Sequence, residues 1–582
     1  MNPSYLVHPL KSNARILLSS VFGPYARDDE YGSRRINPME LYHNQVTREQ
    51  GPFSLRMFHQ SFGLQLLKEN IEAPCSLLDF PTLERFIDEL SSNTYDIIGI
   101  SAIIPNIGKV HKMCELIRTH QPHATIVVGG HIANLSDLEH RIDTDYICKG
   151  EGVAWFRHFL GMDENAPIKH PHVYSGFGTR IVGVNVDLPG KHRNTAAMLI
   201  PSVGCPVGCN FCSTSALFGG KGKSVNFYET GEALFKVMCE IEDDLKVDSF
   251  FVMDENFLLH RKRALQLLDL MQKHNKAWAL YVFTSARVLK SYSIEQLIRL
   301  GISWVWMGLE GKNSNYSKLN GVDTHQLVQE LQSHGIRVLG STIIGLEDHS
   351  PHNIDAVIDY AISHDTVFHQ FMLYTPIPGT PLYEEHRQQG TLLCEDDCPL
   401  ADSHGQYQFN YRHKHIPQGK ETEFLRQAFR RDFELNGPSL ARMIRVMLMG
   451  WQRYKNHPDP CVRSRYKKEI KPIRSTYAAA LWAMHKSYRE DARMYRQLGD
   501  LLRDLYAEFG LLTRIFAPLV GRYVSSAIKR EQKRLARGWT YEPATCYEKN
   551  APANNLAKKV IPAKSVQPIA GAALKPLPIQ TK

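Results

Sequence analysis

The sequence contains no run of eighteen or more uncharged apolar residues, so a helix that crosses a bilayer is not expected. Its first twenty residues, MNPSYLVHPLKSNARILLSS, lack the basic start, long apolar stretch and small-residue cleavage site of a secretory signal; the expectation is a cytoplasmic protein. Cysteine is sparse, eleven in 582 residues. That is too few and too scattered for a disulfide framework, and thiols that cluster in a reducing compartment more often hold metal. No internal repeat stands out. Acidic residues are scarce at one end: from 411 to 582 there are 34 Lys and Arg against 14 Asp and Glu, so this region carries about +20 and the rest about −11. The basic balance thus belongs to the C-terminal region alone. At 43% hydrophobic and 22% charged, the composition is that of ordinary globular protein, and the length predicts roughly two to four domains.

In the first sixty residues only Ala14 to Phe22, ARILLSSVF, reads as a strand. From Thr82 the pattern alternates: a helix near 82–91, the strand DIIGISAII, a helix over about 107–120, the strand ATIVVGGH, a short helix and the strand DYICKG. Near-continuous Val and Ile runs between amphipathic helices predict a doubly wound parallel sheet, whose ligands sit at the carboxyl ends of its strands. Residues 153–195, with frequent Pro, Gly and His, read as a connector. Six strand candidates follow, AAMLIP, DSFFVM, WALYVFT, SWVWMGL, VLGSTIIG and VFHQFMLY, with helical patterns between them. They predict a partial (β/α)6 barrel. After about 400 the pattern turns helical, with candidates near 420–434, 438–456, 475–508 and 511–537. The fold class is therefore α/β with a C-terminal helical region. The expected divisions are 1–152 (sheet domain with an unassigned leading segment), 153–195, 196–390 (barrel), 391–545 (basic helical domain) and a disordered tail over 546–582, rich in Ala, Pro and Lys.

Just past the first barrel strand stands PSVGCPVGCNFCSTS, which places Cys205, Cys209 and Cys212 within eight residues. Three thiolates at this spacing meet one centre only if the backbone loops tightly, and Gly204, Pro206 and Gly208 supply that geometry. Iron-sulfur clusters usually take four cysteines, so a three-cysteine cluster leaves one iron open for a ligand. The same spacing also fits a structural zinc site completed by a distant His, or plain loop thiols.

CxxxCxxC with an aromatic before the last cysteine, here Phe211, after the first strand of six β/α units, resembles the radical S-adenosylmethionine (SAM) superfamily. The resemblance implies that Cys205, Cys209 and Cys212 hold a 4Fe-4S cluster whose open iron binds SAM. Reductive cleavage then yields a 5′-deoxyadenosyl radical, and Phe211 lies near the adenine. It further implies SAM contacts at the strand ends: Asp254, Glu255 and Asn256 of MDENF for the amino group, Ser285 and Arg287 for the carboxylate, and Glu310 of GLEG near the ribose. STIIGLED matches the family's GxIxGxxE pattern in part, with Ser341 in place of the first Gly and Asp348 in the Glu position. Each of these polar residues also fits a helix cap.

Ser101 and the pair Gly129, Gly130 stand about 28 residues apart at the ends of successive strands, where glycine lets a ligand approach the backbone. Together with CKGEG (148–152) and FMLYTPIPGTPLY (371–383), the layout resembles the radical SAM class with an N-terminal cobalamin-binding domain. This implies cobalamin as a further cofactor, held near Ser101, Gly129 and Gly130. The DxHxxG motif that supplies a histidine to cobalt elsewhere is missing; the nearest fragment, RMFHQSFG with His59, has the wrong spacing.

The resemblance covers residues 80 to 390 and implies a methyltransferase acting on an unactivated carbon of a small-molecule or lipid-like substrate, fed by an external electron donor such as flavodoxin or ferredoxin. Two other readings stay open: a non-methylating radical cyclase or rearrangement enzyme, and a sensor or electron-transfer protein without turnover. The basic C-terminal helices read first as solvated faces of a domain packed on the barrel. The second reading is a surface-lying element in peripheral contact with anionic lipid. Nucleic acid is not favoured, because no recognised RNA-binding module accompanies the charge.

Overall fold

Two parallel sheets carry the fold, each built from short apolar runs that the chain buries on both faces. The computed structural model describes residues 7–23, 30–33, 53, 55–56, 60–175, 180–181, 196–311, 316, 318–319, 321–536, 545–549 and 559–561. His59 and most of the leading segment lie outside the described residues.

In the first sheet β1 (Ile16–Ser20), β2 (Cys75–Asp79), β3 (Ile97–Ser101), β4 (Thr125–Gly129) and β5 (Tyr146–Cys148) pair in parallel in the order 2-1-3-4-5. Strand residues alternate between two cores. Leu17, Ile98, Ile100, Ile126 and Val128 face α2 (Leu83–Ser92) and α3 (Ile107–His120). Ile16, Leu18, Ile97 and Val127 face α1 (Phe62–Glu69) and α4 (Gly152–Phe159). β2 and α1 precede the alternation read from Thr82, where CSLLD between Pro74 and Pro81 is short enough to pass for a loop. α4 falls at the start of the expected connector; Glu151 caps it by accepting from Val153 N at 2.6 Å and Ala154 N at 2.7 Å. Of the tail expected to be disordered, 546–549 and 559–561 are described: Thr545–Lys549 pairs antiparallel with β2, and Lys559–Ile561 pairs with it.

The second sheet is β6 (Ala197–Leu199), β7 (Ser249–Val252), β8 (Ala279–Phe283), β9 (Ile302–Gly308), β10 (Arg337–Ile344) and β11 (Phe368–Leu373), parallel and in sequence order. It is a six-stranded partial barrel, open between β6 and β11. After β6 comes the short helix α5 (Ser213–Leu217). Outward-facing Phe250, Leu280, Val282, Val305 and Val338 pack under α6 (Gly231–Leu245), α7 (Arg261–Lys273) and α8 (Thr324–Ser333). Met198 and Ile200 reach into the core of the first sheet, which fastens the two units together.

α9 (Ile354–Ile362) leads into β11, and beyond residue 419 the chain runs through α10 (Lys420–Asn436), α11 (Ser439–Tyr454), α12 (Pro460–Glu469), α13 (Ala478–Ser487) and α14 (Ala492–Ala536). Leu440, Ile444, Met447 and Leu481 pack on Trp304, Leu339 and Phe368 of the barrel. The helix expected over 475–508 is two helices, because Asp491 starts a new one by accepting from Met494 N at 2.9 Å. α12, with only Val462, Arg465 and Tyr466 buried, was hidden by its many charges. α14 kinks at Gly510 (φ 75°), near the boundary read between 508 and 511. Among the described residues no helix is long and apolar enough to cross a membrane.

Candidate active site

After β6 the chain turns twice on glycine. Gly204 (φ 81°) and Gly208 (φ 66°) adopt left-handed backbone. A Cβ at Gly204 would lie 2.8 Å from Phe218 Cβ, and one at Gly208 2.5 Å from Lys221 Cα. No other residue fits. The loop so formed presents three half-buried free thiols, Cys205, Cys209 and Cys212. Cys212 caps α5 by accepting from Ser215 N at 3.4 Å, Cys212 N donates to the Cys209 carbonyl at 3.1 Å, and Ser215 Oγ donates to the Cys205 carbonyl at 3.0 Å. Burial pushes Cys205 up to about 11, with the neighbouring thiols adding to it; burial raises Cys209 as well, against the pull of Lys318. Bound cations reverse such a shift, because metal ligands must be thiolates. Among the described residues no group of three His, Cys, Asp or Glu converges on one metal ion. Each thiolate of a cluster binds its own iron. The donor set fits a 4Fe-4S cluster.

Around this loop several buried acceptors have no partner among the described residues: Asn210 Oδ1, Asn226 Oδ1, Glu255 Oε2 and Glu310 Oε2. Buried polar atoms are ordinarily satisfied, so unpaired acceptors clustered about one loop fit a ligand that donates, as the ammonium and hydroxyl groups of SAM do. Burial pushes the Glu255 carboxyl up to about 7. Glu310, 4% exposed and at φ 48°, follows β9 and pairs with Lys318. Its N–H and that of Leu309 donate to the Ser341 carbonyl on β10. Asp254 is turned inward instead: it accepts from Ser202 Oγ, from Asn256 N at 3.0 Å and from Arg263 at 2.8 Å, a buried ion pair. Asn256 Oδ1 accepts from Thr284 Oγ1 at 3.0 Å and Ser285 N at 3.2 Å, tying the ends of β7 and β8. Ser285 is buried; Arg287 is exposed, its backbone N–H on the Lys318 carbonyl at 3.1 Å. Asp348 is exposed.

Phe211 sits in an aromatic corner. Its ring meets Tyr316 edge-on at 5.2 Å and Tyr374 at 6.2 Å, and the Lys318 ammonium stands 5.2 Å from its centroid. The two tyrosine hydroxyls are 3.2 Å apart, and Asn210 Nδ2 donates to that of Tyr374 at 3.3 Å.

At the carboxyl edge of the first sheet Ser101 and Gly129 end β3 and β4, and Gly130 follows at φ 84°. A Cβ at Gly130 would stand 2.7 Å from the Ala102 carbonyl and 2.9 Å from Ser101 Oγ, and one at Gly129 3.3 Å from Cys148. Strand packing therefore already accounts for both glycines. His131 Nδ1 is buried there without a partner among the described residues, and burial lowers the pKa of its ring. An unpaired nitrogen at the carboxyl edge of a parallel sheet fits a bound cofactor. This edge faces the cysteine loop: residues 131–134 pack on α5, and Asn134 Nδ2 donates to the Ser213 carbonyl at 3.1 Å.

Residues 54–160, which include this edge, match the B12 binding domain family. The solved radical SAM methyltransferase TsrM from Kitasatospora setae, with cobalamin and a 4Fe-4S cluster bound, aligns at a TM-score of 0.49 and 14% identity, covering 79% of this chain and 100% of that one. Bacteriochlorophyllide d C-8(2)-methyltransferase of Chlorobaculum tepidum is 22% identical over 362 residues, 58% of this chain and 78% of that protein. Bacteriochlorophyllide d C-12(1)-methyltransferase of the same organism is 30% identical over 347 residues, 55% of this chain and 75% of that protein. The chain belongs to the cobalamin-dependent radical SAM methyltransferases.

As a radical SAM methyltransferase it needs the cluster loop and the cobalamin-type sheet to face one space, and the Asn134 bond to α5 joins them there. Sequence reasoning missed Tyr316 and Lys318, which belong to no motif quoted for the site, and it gave no role to Tyr374 or His131, which lie within FMLYTPIPGTPLY and ATIVVGGH. It also missed an aromatic wall on the inner side of the methyltransferase barrel. Phe283 and Trp306, both half-buried, stack at 4.9 Å, with Phe251 edge-on to Phe283 at 5.8 Å. The signal was present as alternation within FFV, LYVF and WVWM, whose other residues face the outer helices.

Proposed function

We propose that this enzyme methylates an unactivated carbon of a small apolar substrate held against the Phe283 and Trp306 wall. The observation that carries the reading is the apposition of the cobalamin-type sheet edge and the cysteine loop at Asn134 and Ser213. In this reading Cys205, Cys209 and Cys212 hold the cluster. Glu255 and Glu310 offer their unpaired oxygens to SAM donors, Ser285 and Arg287 take the SAM carboxylate, and Phe211 borders the adenine. Ser101, Gly129 and Gly130 line the cobalamin edge, with His131 beside them. Asp254 acts one step back, holding Asn256 and Ser202 in place. When bound, the cluster supplies the electron that cleaves SAM and the corrinoid carries the methyl group. The half-buried aromatic wall keeps water from the acceptor carbon and favours a lipid-like or planar substrate. A cluster held by Cys205, Cys209 and Cys212 would draw its electron from an external donor such as flavodoxin or ferredoxin. Cys205, Cys209 and Cys212 are free thiols, in keeping with a cytoplasmic site of action.

The test is anaerobic. Protein loaded with iron, sulfide and cobalamin is reduced and given SAM, and 5′-deoxyadenosine and S-adenosylhomocysteine are measured beside a Cys209→Ala variant. Both products, lost in the variant together with its cluster absorbance, are expected. Deoxyadenosine without S-adenosylhomocysteine would turn the reading to cyclisation or rearrangement.

A further inference from the structure

The outer side of α14 carries an apolar stripe. Beyond the kink at Gly510, Leu511, Leu512, Ile515, Phe516, Leu519 and Tyr523 are exposed, Leu512 at 82% and Leu511 at 70%. At 3.6 residues per turn they share one side of the helix. The opposite side, Thr513, Ala517, Gly521, Val524 and Ile528, is buried. Its partner is α13 and the turn before it: Gly521 lies against the Trp482 ring, and Thr513 Oγ1 donates to the Arg474 carbonyl at 3.2 Å. The helix has therefore satisfied its packing within the protein and still shows a second apolar side to solvent. Single exposed apolar residues are ordinary, but a continuous stripe marks an interaction surface.

Charge selects the partner. From 511 to 530 the chain reads LLTRIFAPLVGRYVSSAIKR, with Arg514, Arg522, Lys529 and Arg530 and no acidic residue. All four cations are exposed. A second copy seated symmetrically on this face would set these charges against their own kind. Anionic headgroups would meet them, while the apolar stripe would enter the boundary between headgroup and acyl chain. No described helix can span a bilayer, so such an element lies on the surface.

We propose that this face of α14 docks the enzyme on an anionic lipid surface. Leu512, Ile515, Phe516 and Leu519 enter the interface, and Arg514, Arg522, Lys529 and Arg530 stand among the headgroups. Docking is independent of methyl transfer, although it would bring an apolar substrate to the enzyme.

The reconstituted full-length enzyme is sedimented with vesicles of phosphatidylcholine alone or mixed with phosphatidylglycerol, at low and high salt, and its oligomeric state is measured without lipid. Two variants accompany it, Leu512→Glu/Leu519→Glu and Arg514→Glu/Arg522→Glu, all at exposed positions. The expected result is binding to the anionic vesicles that salt weakens and that each variant reduces by roughly tenfold or more, with cluster content unchanged. Wild-type protein that stays in the supernatant, or binding that both variants retain, would overturn the proposal. So would a dimer in the absence of lipid that Leu512→Glu/Leu519→Glu dissolves, because the face would then join two copies. Vesicle binding is read without turnover, so its failure leaves the methyl-transfer reading standing.

Discussion

Replacing Lys318 by Met tests the electrostatics of the site at a buried ion pair beside the cysteine loop. The Lys318 ammonium pairs with Glu310 and faces the rings of Phe211 at 5.2 Å and Tyr316 at 5.8 Å. Burial alone would depress its pKa, but Glu310 and Cys209 outweigh burial and hold the proton in place. Lys318→Met leaves the Glu310 carboxylate 4% exposed, with Oε2 already unpaired and Oε1 newly so. Removing one partner of a buried pair costs about 3–5 kcal/mol. The lysine side chain is 17% exposed, which places the cost near the lower end, about 3 kcal/mol. For a unit of the barrel's size that lowers the melting temperature by roughly 6–12 °C. The second variant, Lys318→Met/Glu310→Gln, removes the orphaned charge and recovers most of the loss, which a double-mutant cycle reads as coupling. The assay is thermal unfolding of iron-free protein followed by near-UV circular dichroism, so that cluster loss does not enter. If the single variant melts with the wild type, or the double variant melts no higher than the single, the pair does not hold this corner together and the reasoning fails.

Two further changes probe the sheet edge and the SAM side. Gly130→Ala forces a Cβ to 2.7 Å from the Ala102 carbonyl at a φ of 84°; a cost of about 1–3 kcal/mol and weaker cobalamin uptake in equilibrium dialysis are expected, with iron content unchanged. Burial raises Glu255 from 4.5 to about 7, so the folded protein holds this proton more tightly than the unfolded chain. Stability from this group is full below its unfolded pKa and falls as pH climbs through about 7, by at most about 3 kcal/mol. Unfolding of iron-free Glu255→Gln should lack that decline, and a decline of equal size in both proteins would assign it to another group.

The parallel sheets were legible because their strands are buried on both faces and read as unbroken apolar runs, as in DIIGISAII and VLGSTIIG. β2 was not, since the six residues between Pro74 and Pro81 carry too little pattern. The cluster loop was legible for a different reason. Its three thiols and two turning glycines lie within nine residues, so local backbone geometry alone brings the cysteines together.

Everything that surrounds the loop depends on the curved sheet bringing its strand ends together. Asp254 reads as a ligand in MDENF, yet Arg263, nine positions on, folds back to pair with it. Lys318 belongs to no motif and reaches Phe211 only because the ends of β6 and β9 converge. The stripe on α14 shows the same division. Its apolar residues and its lack of acidic ones are plain in the sequence. Which side of the helix meets solvent was decided by α13, because only packing against Trp482 and Arg474 selects one of two apolar sides for burial. Local spacing, turn chemistry and composition are properties of neighbouring residues and can be read in order. Ion pairs between strand ends and the choice of a buried face join residues far apart in the chain, and only the tertiary structure sets them.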